Sequence, residues 1–148
     1  MSAIVDFLEG RGVDGRGRTL DQVLAFDDAA LERHHDFIQW LFPLSEPSGA
    51  VAGSPVLSPG DVAAIRTSTV SANGLQRAAA RMAAFYRGND HWLVRFDHNH
   101  LRITRILKSL RLLLGDAPAD AFRRGVLDRV EAAGGPVDAT AVRHWLRA

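Results

Sequence analysis

The sequence predicts an all-α fold, a single-domain irregular or orthogonal bundle of about six to eight helices. The 148 residues fit one domain, and their 47% hydrophobic and 24% charged content is typical of a folded globule. Helix-start signals recur along the chain, whereas alternating strand patterns are nearly absent. We expect residues 1–18 to form a short helix and a glycine-rich loop, and residues 19–148 to form the helical domain.

Two helix starts in the N-terminal half are marked by local capping signals. Thr19 is followed three residues later by Gln22, which is the capping-box pattern. The segment 58–61, SPGD, supplies an N-cap, a proline at the first helical position and an acid in the first turn. Helices are therefore predicted after Thr19 and over residues 59–69.

A longer helix is predicted between these two. Asp27 or Asp28 can cap it, and we expect it to continue to Phe42, where Pro43 ends it. Trp40 would then point away from the apolar face of this helix. It would need a second surface to pack against.

Four further helices are predicted in the C-terminal half, over residues 73–87, 99–114, 118–133 and 138–147. Asp97 or Asn99 can act as the N-cap of the second of these helices.

The helix predicted over residues 99–114 has apolar residues on two sides. Leu101 and Leu112 lie opposite the main stripe. That stripe falls within an arc of about 120° and consists of Ile103, Ile106, Leu107, Leu110, Leu113 and Leu114. We therefore expect this helix to be central and to contact neighbours on both faces.

Composition excludes several classes of function. The formal net charge of +1 gives no general attraction to nucleic acid or to an anionic membrane. The absence of cysteine excludes disulfides, thiolate catalysis and iron–sulfur clusters. No apolar run is long enough for a bilayer span and the N-terminus lacks signal-peptide character, so a cytoplasmic location is expected. One lysine beside seventeen arginines is a bias expected of a GC-rich, bacterial genome.

Two blocks of uncommon residues carry a family resemblance. Residues 35–44 read HDFIQWLFPL and residues 98–110 read HNHLRITRILKSL, with PVLS at 55–58 and MAAFY at 82–86 between them. In this order they resemble the conserved domain of the opioid growth factor receptor family, over roughly residues 19–127. The resemblance implies a short stand-alone member. The longer animal members are described as intracellular receptors for an opioid peptide, and they carry a longer connection than the one at 87–97 and a repeat-rich tail.

The first block allows two interpretations. In one, its apolar residues fill the core, and Trp40 packs beneath the proline-rich connection with its indole N–H bonded to an acceptor. In the other, Trp40 lines a ligand groove together with Gln39 and Asp36, because an aromatic wall with a few polar groups is typical of binding pockets.

The second block also allows two interpretations. Arg102, Arg105 and Ser109 form a row of donors beside the apolar stripe, and the planar guanidinium group suits a carboxylate or a phosphate, including a peptide C-terminus. Alternatively, the arginines form internal salt bridges with N-terminal acids such as Asp36 or Glu32.

Histidines offer the only route to metal or acid–base chemistry. The pairs at 34–35 and 98–100 lack the i, i+4 spacing of a helical zinc site. The letters HNH at 98–100 also lack the preceding strands of an HNH nuclease. His35 and His98 are interpreted as residues that cap or bridge helices. No catalytic residue, metal ligand or cofactor is therefore predicted.

The preferred function is non-catalytic recognition of a peptide, a protein segment or a small anionic ligand, with no nucleic-acid or membrane partner and no prediction of oligomeric state. The alternative is a small helical enzyme or metal-binding protein that uses a His/Asp/Arg cluster between the two motif helices. The predicted binding cleft lies between these helices and is formed by His35, Asp36, Gln39, Trp40, His98, Asn99, Arg102 and Arg105.

Overall fold

The computed structural model describes residues 2–49 and 51–148, and within these residues it contains helices and no strands. The predicted all-α fold is confirmed. The helices of this described part are α1 (Ala3–Leu8), α2 (Leu20–Leu24), α3 (Asp28–Arg33), α4 (Ile38–Leu41), α5 (Pro59–Thr67), α6 (Thr69–Gly88), α7 (Asn99–Leu113), α8 (Asp116–Ala132) and α9 (Ala139–Arg147). None of them combines the length and the hydropathy that a bilayer crossing requires.

The chain groups into two compact units, Met1–Ala78 and Ala79–Ala148. The boundary falls inside α6, so each unit contains about half of that helix. In the first unit α1 packs against α4 and α5. Its largest fully buried side chains are Phe7, Leu8, Leu20, Leu31, Phe37, Ile38, Leu41 and Phe42.

The second unit is organised around α7, which packs against both α8 and α9. The apolar stripe predicted on α7 is buried from Ile103 to Leu113. Leu101, however, is 73% exposed, so the expectation that it contacts a neighbour is wrong. It lies in the first turn of α7, where its side chain faces solvent instead.

The helix starts that the local capping signals predict are confirmed. Thr19 and Gln22 form the expected capping box at the start of α2. Ser58 caps α5, and Asp61 completes a second capping box by accepting the backbone N–H of Ser58. Such reciprocal bonds satisfy two backbone N–H groups that a helix start leaves without partners.

The prediction of one long helix up to Phe42 was wrong, because α3 ends at Arg33 and helical structure resumes only with α4 at Ile38. Asp27 caps α3 as expected, but His34 is extended, with φ −83° and ψ 138°. The side chains around the break serve tertiary contacts: Asp36 binds Arg18, and the ring of Phe37 meets that of Phe26 edge-on at 5.8 Å. These contacts outweigh the modest free energy of continuing a helix by a few residues.

Helix α6 begins four residues earlier than the predicted residue 73, at Thr69. Its Gly74 faces the end of α1, where a Cβ atom would come within 2.2 Å of the Leu8 carbonyl oxygen. Only glycine allows this approach of two backbones. Ser68 and Ser71 donate to the Glu9 carboxylate at 2.5 and 3.3 Å, so the start of α6 is fixed to the end of α1.

Candidate recognition site around Trp40

The glycine-rich loop between α1 and α2 is organised by the carboxylate of Asp14, whose side chain is fully buried. One carboxylate oxygen accepts the backbone N–H groups of Arg16 and Arg18 at 2.9 and 3.0 Å. The other oxygen accepts the Arg18 Nε–H at 2.7 Å. A buried carboxylate requires this number of donors. The loop therefore has a defined conformation despite its four glycines.

Arg18 links this loop to the first motif block. Its guanidinium group donates to Asp36 at 2.9 Å and lies over the ring of Phe26 at 5.5 Å. Arg16 adds a longer ion pair to Asp36, at 3.7 Å. Burial favours a raised pKa for Asp36, but the hydrogen bond and charge of Arg18 outweigh it and hold the pKa below its ordinary value of 3.8. Asp36 is thus an ionised partner of the loop.

Trp40 lies beside this loop and is only partly buried. Its indole meets the ring of Phe7 edge-on, with centroids 5.6 Å apart. A Cβ atom added to Gly15 would lie 3.7 Å from the indole Nε1, so the loop backbone runs past the polar edge of the ring. No acceptor for the indole N–H lies within hydrogen-bonding distance among residues 2–49 and 51–148.

The other two tryptophans are bound differently. Trp92 and Trp145 are both 0% exposed. The indole N–H of Trp92 donates to the carbonyl oxygens of Asn89 and Tyr86 at 2.8 and 3.1 Å, and that of Trp145 donates to the His100 carbonyl at 3.0 Å. Buried indole groups usually find such a partner. Trp40 keeps its donor available at the surface.

Gln39 precedes Trp40 on α4 and is 5% exposed. Its side-chain carbonyl oxygen is buried and accepts no hydrogen bond from any described residue. A buried acceptor without a donor is costly. His35 is exposed and has interactions within the protein.

The second motif block lies in the second unit, where its polar residues hold the start of α7. Asn99 is fully buried, and its side chain accepts the Tyr86 hydroxyl at 3.1 Å. Asp97 accepts both the backbone and the side-chain N–H of Asn99, at 2.9 and 2.8 Å. The cap position itself is His98, without a side-chain cap bond, so the prediction that Asp97 or Asn99 occupies this position was wrong by one residue.

The remaining residues of this block differ in exposure. The His98 side chain is 44% exposed and lies 3.9 Å from the Asp97 carboxylate. Arg102 is buried and Arg105 is half-buried, and both have interactions within the protein. His100 is used in packing, since its ring bonds to the Trp92 carbonyl at 2.8 Å and meets the Trp145 ring edge-on.

The eight predicted site residues thus divide equally between the two units, and their meeting in one cleft stays a prediction. Within the first unit, the structure connects Asp36 with Arg18 and Arg16, and Trp40 with Phe7 and Gly15. The sequence analysis missed these loop contacts. The only signal for them was an aspartate inside a run of glycines and arginines.

Comparison with known proteins shows which family the chain resembles. The model of the opioid growth factor receptor conserved region matches residues 18–91, which is half of the chain and includes Arg18, Asp36 and Trp40. The rat opioid growth factor receptor is 40% identical over 98 residues, covering 54% of this chain and 17% of the rat protein. The human receptor is 39% identical over 98 residues, covering 54% of this chain and 14% of the human protein.

The chain therefore spans less than a fifth of the length of these relatives. No solved structure matches it significantly. Since the family model covers half of the sequence, the chain belongs to the family defined by the opioid growth factor receptor conserved region.

Proposed function

We propose that this protein is a non-catalytic recognition module that binds a peptide or protein segment at Trp40 in its first unit. The observation that carries the proposal is the available indole N–H of a partly exposed tryptophan, in a protein whose other two tryptophans donate to backbone carbonyls. Tryptophan with this combination of apolar surface and polar edge is enriched at binding interfaces.

The groups around Trp40 suit a peptide. The indole N–H can donate to a peptide carbonyl, while the face of the ring packs against an apolar side chain. Arg16 has a side chain that is 72% exposed, and its one ion pair among the described residues is the long contact with Asp36. Its guanidinium group can therefore also bind a carboxylate of the ligand. A segment with an apolar residue near an acidic one would use all three contacts.

The relatives are named as receptors for opioid growth factor. That ligand is the first probe, and an array of short peptides with and without acidic residues is the second. Affinity is measured by calorimetry for each peptide that binds.

Trp40→Ala is expected to weaken binding about 30-fold, which corresponds to about 2 kcal/mol for an interface tryptophan. Trp40→Phe keeps a ring but removes the donor, so it is expected to weaken binding by about two- to tenfold, the contribution of one neutral hydrogen bond. Equal affinity for the wild-type protein and both folded variants would exclude Trp40 from the site.

A matched pair of glycine variants tests the same edge of the ring. Gly15→Ala places a methyl group 3.7 Å from the indole Nε1, an ordinary contact that crowds the donor without strain. Gly49→Ala adds the same methyl group where no atom lies within 4 Å. We expect weaker binding only in Gly15→Ala, and the same loss in both variants would contradict the proposal.

A further inference from the structure

The second unit contains a cavity between the C-terminal half of α6 and the middle of α8. It has a volume of about 400 Å³. This is within the range of small-molecule sites, roughly 300 to 1,000 Å³. It is lined by Ala83, Tyr86, Arg87, Ala121, Phe122, Gly125, Val126, Asp128 and Arg129, all of which belong to the second unit.

The apolar part of the cavity is well defined. Tyr86, Phe122 and Val126 are buried, and the rings of Tyr86 and Phe122 meet edge-on at 6.3 Å. The Tyr86 hydroxyl is bonded to Asn99, so this ring cannot rotate away without losing a buried hydrogen bond. Gly125 lies on the open side, where an added Cβ atom would meet nothing within 4 Å. The cavity therefore offers an aromatic surface with room above it.

Two arginines lie at one end of the cavity, where α6 ends. Arg87 is in the last turn of α6. Arg129 extends from α8 to the same end, because its Nη2 donates to the Asp90 carboxylate at 2.6 Å and to the Asn89 carbonyl at 3.0 Å. These two bonds fix the position of the Arg129 guanidinium group just beyond Arg87 in the chain.

Both guanidinium groups keep donors that a ligand can use. The bonds of Arg129 involve Nη2 alone, and its Nη1 has no partner among residues 2–49 and 51–148. Arg87 is exposed, and its side chain has no ion pair or hydrogen bond within the same residues. Asp128, the one acid that lines the cavity, is exposed as well. Since guanidinium groups suit carboxylates, this end of the cavity favours a ligand with a single negative charge.

We propose that this cavity binds a small aromatic carboxylate that is not a peptide. The ring of the ligand packs on Tyr86 and Phe122 and extends their edge-on pair to three rings. The carboxylate accepts hydrogen bonds from Arg87 and from Nη1 of Arg129. An ammonium group would instead lie beside two guanidinium groups, and the exposed Asp128 would offset little of that repulsion. The ligand belongs to a different class from the peptide proposed for Trp40, so each proposal can fail without the other.

The test compares four small compounds: 3-phenylpropionate, its neutral amide, the cation 3-phenylpropylamine and the aliphatic acid 3-cyclohexylpropionate. Binding to the full chain is followed by nuclear magnetic resonance, through the backbone amide of Gly125 and the methyl groups of Ala83 and Ala121. 3-Phenylpropionate is expected to bind most tightly. The amide should bind about three- to tenfold more weakly, since it lacks two partly exposed ion pairs. The cyclohexyl acid should bind about two- to tenfold more weakly, since it lacks the contacts between rings.

Charge variants test the assignment of the carboxylate. Arg87→Gln should weaken 3-phenylpropionate by about two- to fivefold and leave the amide unchanged. Asp128→Asn should strengthen 3-phenylpropionate by up to about twofold, because it removes a like charge. Arg147→Gln is the matched control, since it removes the same charge from an exposed position outside the cavity and should change neither affinity. Equal binding of the amide or the amine, or the same loss in Arg87→Gln and Arg147→Gln, would overturn the proposal.

A steric variant separates loss of the site from loss of the fold. Gly125→Leu fills the open side of the cavity and replaces a glycine within a helix by a better helix former, so the melting temperature should not fall. Ala132→Leu is the matched control, an exposed position on the same helix outside the cavity. We expect 3-phenylpropionate to bind Ala132→Leu but not Gly125→Leu. Absence of binding to the wild-type protein, equal binding to both variants, or equal binding of the cyclohexyl acid would overturn the proposal.

Discussion

Trp40 and Trp145 have different surroundings in the same chain. Trp145 is enclosed by the second unit, with its indole N–H bonded to the His100 carbonyl. Trp40 has Phe7 on one side, a loop held by charged groups on another, and an available donor. The two tryptophans therefore differ both in exposure and in whether the indole N–H donates to a described residue.

The largest expected effect is the loss of stability in Trp145→Ala. Removal of a fully buried tryptophan leaves a cavity and is expected to cost about 3 to 5 kcal/mol. Trp40→Ala removes a partly exposed ring and should cost about 1 to 2 kcal/mol. Urea unfolding followed by circular dichroism measures both. A larger loss of unfolding free energy in Trp40→Ala than in Trp145→Ala would contradict the comparison.

The next largest expected effect is a loss of stability when a charged group that holds the loop beside Trp40 is removed. Arg18→Gln leaves the fully buried carboxylate of Asp14 without its cation. Loss of one partner of a buried pair costs about 3 to 5 kcal/mol, but Asp14 keeps two backbone donors, so we expect about 2 to 3 kcal/mol. Hydrogen exchange should also speed up at the Arg16 and Arg18 amides. Unchanged exchange there would mean that the loop is held by something other than Asp14.

A conservative change sharpens the comparison. Trp145→Phe removes the indole donor from the His100 carbonyl, which keeps the Thr104 hydroxyl as a donor, and is expected to cost about 0.5 to 1.5 kcal/mol for the lost hydrogen bond. Trp40→Phe removes no hydrogen bond to a described residue and should cost less than about 0.5 kcal/mol. Binding of a peptide identified as above should respond in the opposite sense, since it should weaken only in Trp40→Phe. Two variants with the same stability would show that the hydrogen bond to His100 contributes nothing.

The features that were predicted correctly from the sequence depend on residues that are close to one another in the chain. The caps at Thr19 and Ser58 were correct because each requires only a side chain three residues away. The break between α3 and α4 was missed because it involves Arg18, eighteen residues before Asp36. Likewise, the buried stripe of α7 follows from helical periodicity, whereas the exposure of Leu101 depends on where other helices end.

The candidate sites were only partly predictable for the same reason. The motif block drew attention to Trp40, but whether its N–H has an acceptor depends on the path of a distant loop. A cavity of about 400 Å³ that Tyr86 and Phe122 line, between α6 and α8, has all of its lining residues outside both motif blocks, so neither block points to it.

The smallest expected effect is a pH dependence of the protein's stability, which arises from Glu9 at the C-terminal end of α1. The hydrogen bond from Ser68, followed by that from Arg11, holds the pKa of Glu9 below its ordinary value of 4.5. A carboxyl group with a lowered pKa in the folded state stabilises the protein above pH 4.5, and this contribution is lost as the pH falls through the folded-state pKa.

Glu9→Gln is therefore expected to cost about 1 kcal/mol at neutral pH, and the difference from the wild-type protein should shrink below pH 4.5. Because α1 contains Phe7, which supports Trp40, the fluorescence of Trp40 should change over the same pH range in the wild-type protein and less in the variant. Trp40→Phe serves as the blank that isolates this signal from the other two tryptophans. A difference in stability between wild type and Glu9→Gln that stays constant from pH 7 to about pH 3 would show that Glu9 is not ionised preferentially in the folded state.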